Sequence, residues 1–286
     1  MSLADCNWIF GIILLCVILL GSSVFAFEDG IIESATEYDY PPLSVVTEDG
    51  KADGFSVELL RAALKTKNLE VTFYVGPWSE IKQDLEDGKI QVLPLVGRTP
   101  EREPIYDFTK PYLTFYGTIF VRKGDTSIKT VSDLADKEVL VMKEDNAEEY
   151  AIREAISQKL IAVENYNEAF QLLSDGQHDA VVVHQLVGTQ IIKKLGIENV
   201  VAVDHRLEGF KQDFTFAVKK GDEGLLKILD EGLEIVKYDG TFERLQKKWF
   251  QEKSEDALSN NLLIIGATAI SILLLVSFIV YVKKMG

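Results

Sequence analysis

Gly97-Arg98-Thr99-Pro100-Glu101-Arg102, followed by Asp107-Phe108-Thr109-Lys110-Pro111-Tyr112, decides how the rest of the chain is read. The run 91–96 before it is apolar and strand-like, so the quoted residues form a strand-to-helix corner. Thr99 suits the cap of a short helix, Pro100 is tolerated at its first position, and Arg102 falls in its first turn. An arginine there offers a planar fork of donors that fits a carboxylate with two parallel hydrogen bonds. It also has Glu101 and Glu103 beside it as partners for an ordinary surface pair, and local spacing does not choose between the two.

Outward from this corner, strand-like runs at 71–75, 91–96, 118–122, 138–142, 179–183, 200–203 and 214–218 alternate with amphipathic stretches. The latter fall at 56–65, 78–86, 147–157, 167–174, 186–195, 223–238 and 241–251; in the first, Val57, Leu60, Ala63 and Leu64 recur at helical spacing. Strands alternating with helices predict an α/β fold with mostly parallel sheets. Phe120-Val121-Arg122-Lys123-Gly124-Asp125 is echoed by Ala217-Val218-Lys219-Lys220-Gly221-Asp222. Two such strand exits either resemble each other by chance or mark a chain that crosses between lobes and returns, which makes a hinge.

Among the 286 residues, 45 acids face 30 lysines and arginines, a net charge of −15. Nucleic acid and anionic lipid surfaces reward the opposite balance, so neither is an expected partner. Both cysteines, Cys6 and Cys16, lie in the N-terminal apolar segment, and the three histidines are dispersed. No metal or other cofactor is therefore expected. The run 8–20 has the length of a signal-peptide core, and Val24-Phe25-Ala26 is a small-residue cleavage site. Asp5, with no lysine or arginine before the run, keeps an uncleaved anchor open. The uncharged stretch 262–282 has the length of a transmembrane helix, about 31 Å at about 1.5 Å per residue. Lys283-Lys284 beyond it predicts a cytoplasmic end, with everything before the stretch facing outward. The expected organisation is a leader or anchor at 1–26, a binding domain at 27–251, a linker at 252–261, a span at 262–282 and a cytoplasmic end at 283–286.

Tyr40-Pro41-Pro42-Leu43 and Gly54-Phe55-Ser56-Val57-Glu58-Leu59-Leu60 resemble the opening of the type II periplasmic solute-binding fold, amino-acid-binding subfamily (extracellular solute-binding protein family 3). Trp78-Ser79-Glu80-Ile81, the Arg98–Glu103 and Phe108–Tyr112 motifs, Asp239-Gly240-Thr241-Phe242 and Lys248-Trp249-Phe250 follow in the family's order. The Arg-Thr-Pro-Glu-Arg-Glu form is most similar to domains fused to bacterial sensor kinases and cyclases. The resemblance implies two lobes closing like a flytrap, lobe 1 at about 31–120 and 218–251 and lobe 2 at about 121–217. It implies that Arg102 holds a ligand carboxylate, beside Gly97, Arg98 and Thr99 at the same corner, and that Tyr40 and Trp78 sandwich the ligand. Core packing is the alternative for both aromatics. Asp145-Asn146 matches the polar pair that opens a ligand-facing helix, yet Asp145-Asn146-Ala147-Glu148 is also a ready capping box.

Two positions depart from the family. His184 stands where amino-acid binders place a carboxylate for the ligand ammonium, and Gly97 stands where a Ser or Thr is usual. His184 is either a donor to a ligand oxygen or a structural histidine. The departure favours an organic acid over a typical α-amino acid. The expected activity is the outward-facing sensing domain of a membrane receptor, which closes its lobes on a small carboxylate-bearing solute and passes the change through the linker to the membrane helix. Two alternatives stay open: a tethered binding protein that delivers solute to a transporter, and a dehydratase using His184, Glu144 or Asp145 as its acid. A second copy of the chain, or a signalling or transport protein, would be the macromolecular partner.

Overall fold

The computed structural model describes residues 30–251. In chain order these form β1 (Ile31–Thr36), β2 (Asp39–Tyr40), β3 (Ser44–Val46), β4 (Ala52–Asp53), α1 (Phe55–Lys65), β5 (Glu70–Val75), α2 (Trp78–Asp87), β6 (Val92–Gly97), β7 (Tyr106–Phe108) and the long β8 (Leu113–Arg122). There follow β9 (Glu138–Met142), α3 (Asn146–Arg153), β10 (Lys159–Val163), α4 (Tyr166–Ser174), β11 (Ala180–His184), α5 (Gln185–Leu195), β12 (Val200–Ala202), the longer β13 (Leu207–Lys219), α6 (Glu223–Tyr238) and α7 (Thr241–Phe250). The leader (1–26), linker (252–261) and span (262–282) expected from sequence lie outside the described residues. Among the described residues no helix is long and apolar enough to cross a membrane.

In lobe 1, β1 lies between β5 and β6 with parallel pairing on both sides. In lobe 2, β9 lies between β10 and β11, again parallel. The middle strands of lobe 2 are apolar on both faces because helices and loops cover both. Val139, Val141 and Val182 enter one core cluster, while Leu140, Met142, Val181 and Val183 enter the other. In α1 the periodic residues Val57, Leu60, Ala63 and Leu64 are all fully buried. Gly54, just before it, has a φ of 121°, and a Cβ there would sit 2.5 Å from the Leu43 carbonyl oxygen. No other residue type fits that entry.

The lobes are joined by β8 and β13, which run antiparallel from Leu113↔Phe214 to Tyr116↔Lys211 and meet again at Leu207↔Gly117. Beyond the crossing, Gly117–Phe120 of β8 pairs with β11, and Phe214–Val218 of β13 pairs with β6. Each long strand thus belongs to lobe 1 at one end and to lobe 2 at the other. The lobe limits expected at 120/121 and 217/218 fall inside these strands, a few residues from the crossing. The echoed exits are tight turns, with Gly124 at φ 88° and Gly221 at φ 93°. Both ends of the described chain belong to lobe 1: β1 pairs with β5, and α7 packs on α1 through Phe55 and Phe250, 4.8 Å between ring centres. The Glu58 carboxylate also accepts from the Trp249 indole at 3.2 Å.

Candidate functional site

Ligands of open α/β sheets bind outside the carboxyl ends of the strands, where the winding reverses. In lobe 1 that point lies between β1 and β6, whose ends lead into Glu37 and Gly97. In lobe 2 it lies between β9 and β11, whose ends lead into Asp145 and His184. The two points face one another across the crossing strands. Between them lies a narrow cavity of about 10 Å³ walled by Glu37, Asp145, Asn146 and Arg102, the rings of Tyr40, Trp78 and Phe214, and by Leu95 and Gly97.

Arg102 is 3% exposed, and each nitrogen of its guanidinium donates to a protein acceptor. Nη1 donates to the Gly97 carbonyl at 3.3 Å in its own lobe. Nη2 donates to the Glu144 carbonyl at 3.0 Å, and Nε to Glu149 Oε1 at 2.8 Å, both in lobe 2. The guanidinium lies over the Trp78 ring at 4.9 Å, and the Trp78 indole donates to the same Glu144 carbonyl at 2.7 Å. Neither neighbour considered in the sequence is its partner. Glu103 pairs instead with exposed Arg98, at 2.9 Å, and Glu101 pairs with Arg153 across the cleft. Arg98 is therefore on the surface, away from the cavity wall. The expected short helix after Thr99 is a run of turns: the buried Thr99 offers its carbonyl to the Arg102 and Glu103 amides.

The acids of the wall are Glu37 and Asp145. Asp145 precedes α3 without capping it by side chain; its Oδ2 accepts from the Tyr166 hydroxyl at 2.6 Å. Glu148 does reach back, but to the Glu144 amide, one residue beyond the Asp145 amide that a capping box would use. Burial, opposed by Arg102 and by the Tyr166 bond, raises the Asp145 pKa. Burial first, then the nearby Asp145 and Asp39 charges, pushes the Glu37 carboxyl well above the usual carboxylate range. Asn146 is 2% exposed, and its Oδ1 has no hydrogen-bond partner. A Cβ on Gly97 would lie 2.5 Å from Asn146 Nδ2, so the missing Ser or Thr side chain is the space that Asn146 fills when the lobes meet.

His184 is fully buried and stands behind the wall rather than in it. Its Nδ1 is 2.9 Å from the Tyr40 hydroxyl, and its ring is caged by Phe210 at 4.6 Å and Phe214 at 5.1 Å. The imidazole thus fixes Tyr40, which does face the cavity. Burial lowers its pKa to about 3, so the folded protein holds it neutral. The unfolded chain takes up a proton at about pH 6.5 and the folded chain does not. The associated stability is complete above about pH 6.5 and drains as the pH falls toward 3, by up to about 1.4 kcal/mol per pH unit. His184→Gln is expected to remove about one proton's worth of that acid slope, measured from urea unfolding at stepped pH. An unchanged slope would assign the acid sensitivity to other groups.

Of the sequence candidates, the structure brings Tyr40, Trp78, Gly97, Arg102, Asp145 and Asn146 to one cavity, and leaves Arg98, Thr99 and His184 outside its wall. Sequence reasoning missed Glu37, Phe214 and Glu149. Glu37 had a readable signal, being the first residue past a parallel strand of lobe 1. Phe214 and Glu149 had none, because their contacts are made across the lobes.

The matching family model, bacterial extracellular solute-binding proteins, family 3, covers residues 32–252. The amino-acid-binding protein AabA of Dichelobacter nodosus is 30% identical over 244 residues, 84% of this chain and 96% of its own. Among solved structures, a histidine kinase sensor domain similar to periplasmic binding proteins superposes with a TM-score of 0.73 at 30% identity, covering 77% of this chain and 96% of that one. An ancestral arginine-binding protein bound to arginine gives a TM-score of 0.72 at 32% identity, over 78% and 99%. Two lobes hung on two crossing strands, with a walled cavity between the strand ends, agree with the match: the chain belongs to family 3 of the bacterial extracellular solute-binding proteins.

Proposed function

We propose that the cleft binds a small solute of the amino-acid class through a cationic nitrogen, and that the domain is the outward-facing sensor of a membrane receptor. The observation that carries the first half is the set of groups in the wall. Glu37 and Asp145 face a single cation, Arg102, which already has Glu149 as its counter-ion. This replaces the preference for an organic acid drawn from His184. The acceptors for an ammonium come from Glu37, Asp145 and the unpartnered Asn146 Oδ1. The receptor half draws support from the apolar stretch 262–282 and from the likeness to a kinase sensor domain. Delivery to a transporter is the second reading, favoured by the likeness to the amino-acid-binding protein AabA. Either way the solute acts only by binding the closed lobes better than the open ones. Ligand-dependent phosphorylation by a partner kinase, against ligand-stimulated ATP hydrolysis by a partner transporter, separates the two.

Titration calorimetry of the full chain against amino acids, their amines and simple organic acids tests the site. Nitrogen cations are expected to bind, and Glu37→Gln to weaken them roughly 10- to 150-fold, the value of a charge-assisted hydrogen bond. A bound cation draws the raised Glu37 carboxyl into its ionised form. Binding therefore releases a proton, and affinity rises with pH above the ordinary carboxylate range. Binding confined to anionic acids, or an affinity that falls as the pH rises, would sink this reading.

A further inference from the structure

The seat that the resemblance assigns to a ligand carboxylate is occupied by the protein itself. Glu149, in the first turn of α3, sets Oε1 2.8 Å from Arg102 Nε, and the two carbonyls of Gly97 and Glu144 take the other guanidinium nitrogens. The side chain is mostly shielded, at 16% exposure, and its second oxygen is buried with no hydrogen-bond partner. A ligand carboxylate would have to displace Glu149 or lie beside it. It would also meet Glu37 and Asp145, and the start of α3, where helices usually favour anions, carries Asp145, Glu148 and Glu149. The remaining wall asks for donors: Asn146 is 98% buried by its 2% exposure, faces the cavity and leaves Oδ1 unpaired. The rings of Tyr40, Trp78 and Phe214 suit a cation with an apolar body.

We propose that Glu149 is a built-in substitute for the ligand carboxylate, so that this cleft selects an organic cation lacking a free carboxylate, a primary amine or guanidine related to a basic amino acid by loss of that group. The proposal rests on the reading of the cleft as a solute site and names the class of solute. With Arg102 neutralised by Glu149, the wall offers a carboxylate no unpaired cation, while the Glu37 and Asp145 carboxyls remain as acceptors for a cation. Glu149 is a specificity determinant that acts through Arg102.

The test is calorimetry on the full chain with agmatine against arginine, cadaverine against lysine, and arginine methyl ester as the same scaffold with its carboxylate masked. The amines and the ester are expected to bind at least about tenfold tighter than the parent amino acids, since like charges brought together in an interface cost several kcal/mol. Glu149→Ala frees the Arg102 fork and should move the preference toward arginine or lysine by a similar factor, with Glu149→Gln as the shape-preserving companion. Wild-type chain that binds arginine or lysine as well as their amines overturns the inference while leaving the solute site intact. A preference unmoved in both folded variants also overturns it. Absence of heat from every amine and every amino acid overturns the inference and the solute reading together. The wild-type comparison needs no variant to fold.

Discussion

Arg102→Ala lowers the affinity of the cleft for its solute by roughly 30- to 3,000-fold. The loss comes from what the guanidinium joins. It ties the Gly97 carbonyl of lobe 1 to the Glu144 carbonyl and the Glu149 carboxylate of lobe 2, and it is the only cation among the residues walling the cavity. Truncation leaves Glu149 shielded without a counter-ion whenever the lobes meet, and breaking one side of such a pair costs about 2–5 kcal/mol. The cost falls on the closed state, the state that holds solute. Arg102→Lys keeps the charge but loses the fork and the flat stack on Trp78, so an intermediate loss is expected. Calorimetry gives the affinity and small-angle scattering the closure. An alanine variant that binds and closes normally would remove Arg102 from the site.

The largest expected effect on stability is at Phe214. Its ring is 2% exposed and packs on Tyr40, Phe115 and His184, while its backbone pairs with Gly97 on one side and Leu113 on the other. Phe214→Ala is expected to cost about 3–5 kcal/mol through the lost transfer energy and the cavity left behind. At about 2–4 °C per kcal/mol for a domain of this size, the melting temperature should fall by roughly 6–20 °C in a calorimetric scan. Phe214→Leu refills most of the space and should recover much of the loss. A fall smaller than about 3 °C for the alanine variant would mean that the ring does not hold the crossing together.

Long periodic segments were readable from sequence because their burial is repetitive. The expectations at 138–142 and 223–238 coincide with β9 and α6, and the other helices differ by a few residues at their ends. The ribbon of β2, β3 and β4 was not readable, since strands of two or three residues exist only through their ladder. β10 escaped for another reason: it is an edge strand with a single buried residue, so its pattern is weak. At the site, Arg102 stood out through its local motif. Its partner, Glu149, is 47 residues away in the other lobe, and a pair formed only by tertiary approach leaves no spacing to read. His184 shows the converse. Its place after β11 was right for a ligand position, but the direction of its side chain depended on Phe210, whose ring packs so tightly against Gly117 that a Cβ there would lie 1.9 Å from it.

Because β1 and α7 both belong to lobe 1, lobe 2 is a loop on the path of force rather than a link in it. Tension applied at the two ends of the described chain is carried by the contacts of β1, β5, α1 and α7, and passes the crossing strands by. A tether at either end therefore reads lobe 1 as a fixed post, whatever the cleft holds. The swing of lobe 2 becomes work on another molecule only where that molecule leans on lobe 2 itself or spans the rim of the cleft, touching both sides at once.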